Sequence, residues 1–169
     1  MRRKRKSDTE KALELVIGTL IAIPVASIAT TKWLFSSWNQ SKLKAASIRL
    51  EDIDNMDGLS FEYYVAELLK KNGYSQVNLT PASGDFGVDI LAVKDNRKWA
   101  FQCKNYRSNL GIGPIQEVFS GAVKYKAQTS VVITNSYFTK NAQEFANSLG
   151  VLLWDRTVLA KLINSAYKQ

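Results

Sequence analysis

Ser83-Gly84-Asp85-Phe86-Gly87-Val88-Asp89-Ile90-Leu91-Ala92-Val93 reads as a glycine turn feeding a hydrophobic strand. Trp99-Ala100-Phe101-Gln102-Cys103-Lys104 reads as the next strand, and Lys94-Asp95-Asn96-Arg97-Lys98 between them supplies the turn of a hairpin. Side chains alternate across a strand, so Gln102 and Lys104 share one face and Cys103 takes the other. If the hairpin closes, Asp89 reaches the face of Gln102 and Lys104. A carboxylate, an amide oxygen and a lysine then converge.

That set suits cleavage of a phosphodiester. A hard cation such as Mg2+ or Mn2+ takes oxygen ligands and keeps several waters, so Asp89, the Gln102 carbonyl and a substrate phosphate can hold it. The metal polarises the phosphoryl group and helps deliver a water, while Lys104 steadies the charge that develops. The alternative is ordinary: aspartate and lysine near strand ends are common, and Gln-x-Lys arises often by chance.

The pattern resembles the PD-(D/E)xK nuclease superfamily, and more closely its Mrr-like restriction endonuclease branch, in which glutamine commonly replaces the second acid. The resemblance runs from about Leu59 to Ile163. It includes the Phe61-Glu62 helix start, Gly73-Tyr74, Gly84-Asp85-x-Gly87-Val88-Asp89-Ile90, Gln102-x-Lys104, Val132-Ile133-Thr134, Phe138-Thr139 and Trp154-Asp155. It implies an α/β, restriction-endonuclease-like core with a mixed central sheet flanked by helices in the order α-β-β-β-α-β. It also implies DNA as substrate and leaves a homodimer open. At Glu62 it implies a metal-linked acid facing the site, against which stands simple attraction of a first-turn acid to the helix dipole.

Composition removes several chemistries. The chain has no histidine, which excludes Ser-His-Asp and Cys-His catalysis, HNH-type nucleases and imidazole zinc sites. Its one cysteine, Cys103, can form neither an internal disulfide nor a Cys-rich metal site, and reads as a small buried hydrophobe rather than a nucleophile. The net charge of +8 sits mainly near the start: residues 50–169 hold thirteen Lys or Arg against twelve acids. Any DNA footprint is therefore a local patch, for which Lys94, Arg97, Lys98, Lys104 and Arg107 are candidates. Gln116 is a further phosphate-facing candidate, or a plain helix-surface amide.

Four regions are expected: a basic tail (1–11), a transmembrane segment (12–35), a juxtamembrane linker (36–58) and a catalytic domain (59–169). Leu15 to Thr31 carries no charge, and Trp33 and Trp38 suit a membrane boundary. A cleaved signal peptide and a buried soluble helix are the alternatives to an anchor. The anchor implies contact with membrane lipid and a single-pass membrane protein. The basic tail places the N-terminus inside by the positive-inside rule, which would put the domain outside. A DNA substrate argues the opposite, and a cytosolic domain is the expectation adopted.

Within the domain, Ser60 is the expected N-cap of a helix ending at Gly73, with strands at 74–80, 88–93 and 99–105 after it. A helix from Pro114 to about Lys126 should cross over to a parallel strand at 130–134. A helix at 139–149, a strand at 151–155 and a helix at 157–167 follow. The leading functional expectation is a membrane-anchored, metal-dependent DNA endonuclease in restriction or DNA processing. The alternatives are a catalytically silent DNA-binding module and a structure-selective junction or repair nuclease on the same fold.

Overall fold

A computed structural model describes residues 50–81 and 86–167 of the chain. The basic tail, the expected membrane segment, the linker up to residue 49, and Gly84 and Asp85 of the glycine turn lie outside the described residues. Among the described residues no helix is long and apolar enough to cross a membrane.

The elements are α1 (Leu50–Asp54), α2 (Gly58–Lys71), β1 (Ser75–Leu79), β2 (Ile90–Lys94), β3 (Arg97–Lys104), α3 (Gly113–Tyr125), β4 (Thr129–Thr134), α4 (Lys140–Leu149), β5 (Leu152–Trp154) and α5 (Arg156–Tyr167). The five strands form one mixed sheet in sequence order. The pairs β1/β2 and β2/β3 are antiparallel, and β3/β4 and β4/β5 are parallel. The expected core order is present, and α3 makes the crossover that a parallel β3–β4 pair needs.

Alternation along β3 and β4 divides the interior into two layers. Ala100 and Val132 face α3 and α4 and pack with Ile115, Val118, Ala122, Ala142 and Ala146. The alternate residues Phe101, Val131 and Ile133 are buried, as are Phe61, Val65 and Leu69 of α2 and Leu159 of α5. Ile115, Val118 and Ala122 recur at the spacing of one helical face, which fixes the rotation of α3 against the sheet.

Two expectations change at the start of the domain. Helix α2 begins at Gly58 and is capped by Asp57, whose carboxylate accepts from the Ser60 amide at 2.7 Å. Ser60 is therefore a first-turn residue served by the cap, and the ionised carboxylate makes the stronger acceptor. The end of the stretch read as linker belongs to the fold. Ile53 is fully buried, Asp54 pairs with Arg156 at 2.6 Å, and Asn105 donates to the carbonyls of Ile53 and Met56. Polarity hid this role, because one apolar side chain and a few hydrogen bonds dock the segment.

Candidate active site

The β2–β3 hairpin closes with Ile90 opposite Phe101, and the Asp89 amide donates to the Phe101 carbonyl at 2.8 Å. This register sets Asp89 beside Gln102 at the end of the hairpin remote from its turn. One carboxylate oxygen of Asp89, Oδ2, accepts both from Gln102 Nε2 at 2.7 Å and from the Cys103 backbone amide at 2.6 Å. Asp89 and Gln102 are nearly buried. With its nitrogen turned to the carboxylate, the Gln102 amide leaves Oε1 buried and without a hydrogen-bond partner among the described residues. Such an orphaned acceptor is costly unless something meets it.

The sequence places this oxygen next to a glycine for a steric reason. Gly87 has φ +73, and a Cβ added there would lie 2.8 Å from Gln102 Oε1 and 2.3 Å from Glu117 Cβ. A side chain at 87 would meet both the backbone penalty and α3. Gly121, one turn beyond Glu117, serves the same approach: a Cβ there would come within 2.5 Å of Val88 Cγ2 and 2.6 Å of the Phe86 carbonyl oxygen. The two glycines let α3 lie against the strand that delivers Asp89.

That approach introduces a residue that the sequence pattern did not single out. Glu117 Oε2 is 3.2 Å from Lys104 Nζ. Burial works against the Lys104 ammonium, but the charge and hydrogen bond of Glu117, then Asp89 and Tyr106, outweigh it and raise the lysine above its ordinary range. Lys104 is thus a held cation on the Gln102 face. The signal that could have found Glu117 is an acid one helical turn before a glycine, on the flank of the Ile115/Val118 stripe. Gln116, the candidate singled out instead, is exposed, and the ion pair to Lys104 comes from its neighbour Glu117.

The remaining candidates separate. Arg107, three residues beyond Lys104, stays at this end of the sheet. Lys94, Arg97 and Lys98 do not gather round the site. They lie at the turn of the hairpin, and the six residue steps of strand from Lys98 to Lys104 span roughly 20 Å. Lys94 Nζ donates to the Asn72 carbonyl and sits 4.6 Å from the Tyr74 ring centre, and Lys98 Nζ donates to the Tyr125 carbonyl. Glu62 is in the second turn of the longer α2, beyond the range over which the helix dipole acts strongly. It is half-buried; burial first, then Asp89 and lastly Glu62 push up the Cys103 thiol. Glu62 is thus near enough to Cys103 for its charge to be felt there. A buried thiol pushed well up is a packing group and not a nucleophile.

The stretch of chain that carries these features is similar to known proteins. The chain matches the restriction endonuclease family Mrr_cat over residues 53–163, and it belongs to that Mrr-like restriction endonuclease family. Among curated relatives it is 29% identical over 122 residues to the type IV methyl-directed restriction enzyme EcoKMrr of Escherichia coli strain K12, a match covering 68% of this chain and 40% of the relative. The chain thus spans well under half of that protein's length. Among solved structures it resembles the DNA modification-dependent restriction endonuclease AspBHI with TM-score 0.55 and 17% identity, over 76% of this chain and 35% of that one. This second likeness is one of fold.

Proposed function

We propose that the chain is a divalent-metal-dependent DNA endonuclease held at a membrane by residues 12–35, acting in restriction or DNA processing. The observation that carries the reading is the convergence of Asp89, the partnerless Oε1 of Gln102 and the held ammonium of Lys104. Among the described residues no three His, Cys, Asp or Glu side chains cluster as a metal cage. The donor set instead suits a cation that keeps most of its waters. One carboxylate, one amide oxygen kept clear by Gly87, and substrate phosphate fit Mg2+ or Mn2+.

In this mechanism Asp89, through its carboxylate, and Gln102, through the partnerless Oε1, would hold the metal. When bound, such a metal would supply Lewis-acid polarisation of the phosphoryl group and a more acidic water. Lys104 presents its ammonium to the oxygens on which charge develops, fixed in place before substrate arrives. Glu117 orients Lys104 and keeps it protonated. Glu62 is an additional acid at the same end of β3. A duplex break needs one such centre for each strand, which two copies of the chain would supply.

The test is incubation of the full chain with supercoiled plasmid and with branched DNA, in Mg2+, in Mn2+ and in EDTA. Nicking or linearisation in metal, and none in EDTA, is expected. Gln102→Glu, which restores an acidic ligand, should cut at a lower metal concentration than wild type. DNA binding with no cleavage in any metal would favour the silent binding module, and cleavage of branched DNA alone would favour a junction or repair nuclease. The anchor has its own test: the full chain should stay with membranes through carbonate extraction, and its recovery in the soluble fraction would overturn the anchor. Protease added outside intact cells should spare the domain if it is cytosolic.

A further inference from the structure

A cavity of about 500 Å3 opens at the C-terminal ends of β3 and β4, the same edge of the sheet that carries Gln102 and Lys104. Carboxyl ends of parallel strands are where open α/β sheets bind ligands. Its floor is a fixed polar framework. Arg156 donates to both carboxylate oxygens of Asp54, at 2.6 and 2.9 Å, and to the Asn135 carbonyl at 2.8 Å. The Asn135 side chain donates to Asp54 and accepts from the Tyr106 amide, each at 2.8 Å. The charges of the floor are therefore matched and its geometry is set.

Above that floor the lining changes character. Tyr106 and Tyr137 are 52% and 48% exposed, and neither ring packs against another aromatic ring among the described residues. Arg107, also on the lining, is exposed and makes no hydrogen bond among the described residues. Arg107 feels the Asp54 carboxylate, but without such a bond its guanidinium, like the two rings, is open to a ligand. Flat rings with an exposed guanidinium answer to a base and its phosphate. Tyr106 lies two residues beyond Lys104, roughly 7 Å of extended chain.

We infer that this cavity holds one unstacked nucleotide of the substrate strand next to the phosphate being cut. Tyr106 and Tyr137 meet its base, and Arg107 meets its phosphate. The inference rests on the endonuclease reading and adds to it a site that favours strands already open or easily opened.

The experiment measures binding of the full chain to fluorescein-labelled DNA without divalent metal, so that no strand is cut. One probe is a paired duplex and the other the same duplex with a short single-stranded gap. Wild type should prefer the gapped probe. Tyr106→Leu and Tyr137→Leu should each weaken that binding roughly tenfold or more, and Tyr106→Phe and Tyr137→Phe, which keep the ring, should restore it. Arg107→Gln should lower the slope of log affinity against log salt by about 1. Both tyrosines are half-exposed, so thermal melts should confirm that every variant is folded. Leucine variants that bind gapped DNA like wild type would overturn the inference while leaving the endonuclease reading standing. Ring-dependent binding of adenosine monophosphate with ring-independent binding of DNA would overturn the assignment to a substrate strand. If wild type neither binds nor cuts DNA, the endonuclease reading itself fails and the inference falls with it.

Discussion

The two ends of the β2–β3 hairpin carry similar residues and use them differently. At the turn, Lys94 and Lys98 spend their ammonium groups on backbone carbonyls of neighbouring elements, at 3.0 and 2.8 Å. At the far end Lys104 meets a carboxylate, Glu117, beside a second one, Asp89, and an amide oxygen with no partner. A lysine bonded to a carbonyl fastens two elements together. Two acids and an orphaned acceptor oxygen round one lysine at a strand end leave a net negative spot with a free oxygen ligand, which suits a cation. Residue type therefore says little here, and position along the strand decides the role.

Removing the acid at the reactive end should have the largest effect. Asp89→Ala is expected to abolish metal-dependent plasmid cleavage, since it removes the carboxylate that organises both Gln102 and the Cys103 amide. A folded Asp89→Ala protein that cuts like wild type would dissolve the distinction between the two ends. Lys104→Ala should follow with a loss of about a hundredfold in rate, about 3 kcal/mol of transition-state stabilisation, read from initial rates of nicking.

Glu117→Gln sharpens the comparison through pH. Glu117 helps to raise Lys104 above its ordinary range against the opposing pull of burial. Without it burial gains, and the lysine loses its proton at lower pH. The alkaline limb of the cleavage rate should then move to lower pH, with a modest change near neutrality. An unmoved limb would mean that Lys104 does not act as a cation.

At the turn end, Lys94→Met and Lys98→Met should leave the cleavage rate within about twofold of wild type and cost at most about 1 kcal/mol of stability each by denaturant titration. A large fall in cleavage from either would restore these lysines to the substrate path. The smallest effect is expected at Asp54, away from the hairpin. The hydrogen bond from Arg156 is the first cause that holds its carboxyl below the ordinary value, with burial opposing. A lowered folded pKa gives stability that is present above the unfolded value of about 3.8 and is lost as pH falls through the folded one. The Asp54 side chain is 37% exposed, so Asp54→Asn should cost about 1 kcal/mol or less at neutral pH. The gap between variant and wild-type melting temperatures should close on acidification below that range.

Much of the reactive end is legible in the amino-acid sequence. Strand alternation is local, so Gln102-x-Lys104 on one face and Cys103 on the other follow from backbone period alone. Asp89 joins them because a short polar turn fixes which residues face each other across a hairpin. The parallel β4 follows from the length of the crossover. Grouping Lys94, Arg97 and Lys98 with the site rests on nearness in sequence, whereas the rise along a strand puts those residues at the far end of the hairpin.

By itself, then, the sequence determined the hairpin, its faces, the strand–helix order and the absence of imidazole and multi-cysteine chemistry. Each of these depends on short-range periodicity or on composition. The tertiary structure decided that Glu117, not Gln116, meets Lys104, that Asp57 caps α2, and that residues 50–54 dock against Asn105 and Arg156. It also decided that two tyrosines and an arginine border one cavity. These contacts join residues from separate elements, and they depend on how one element rotates and settles against another. Close packing across Gly87 and Gly121 sets that fit for α3, and no local pattern carries it.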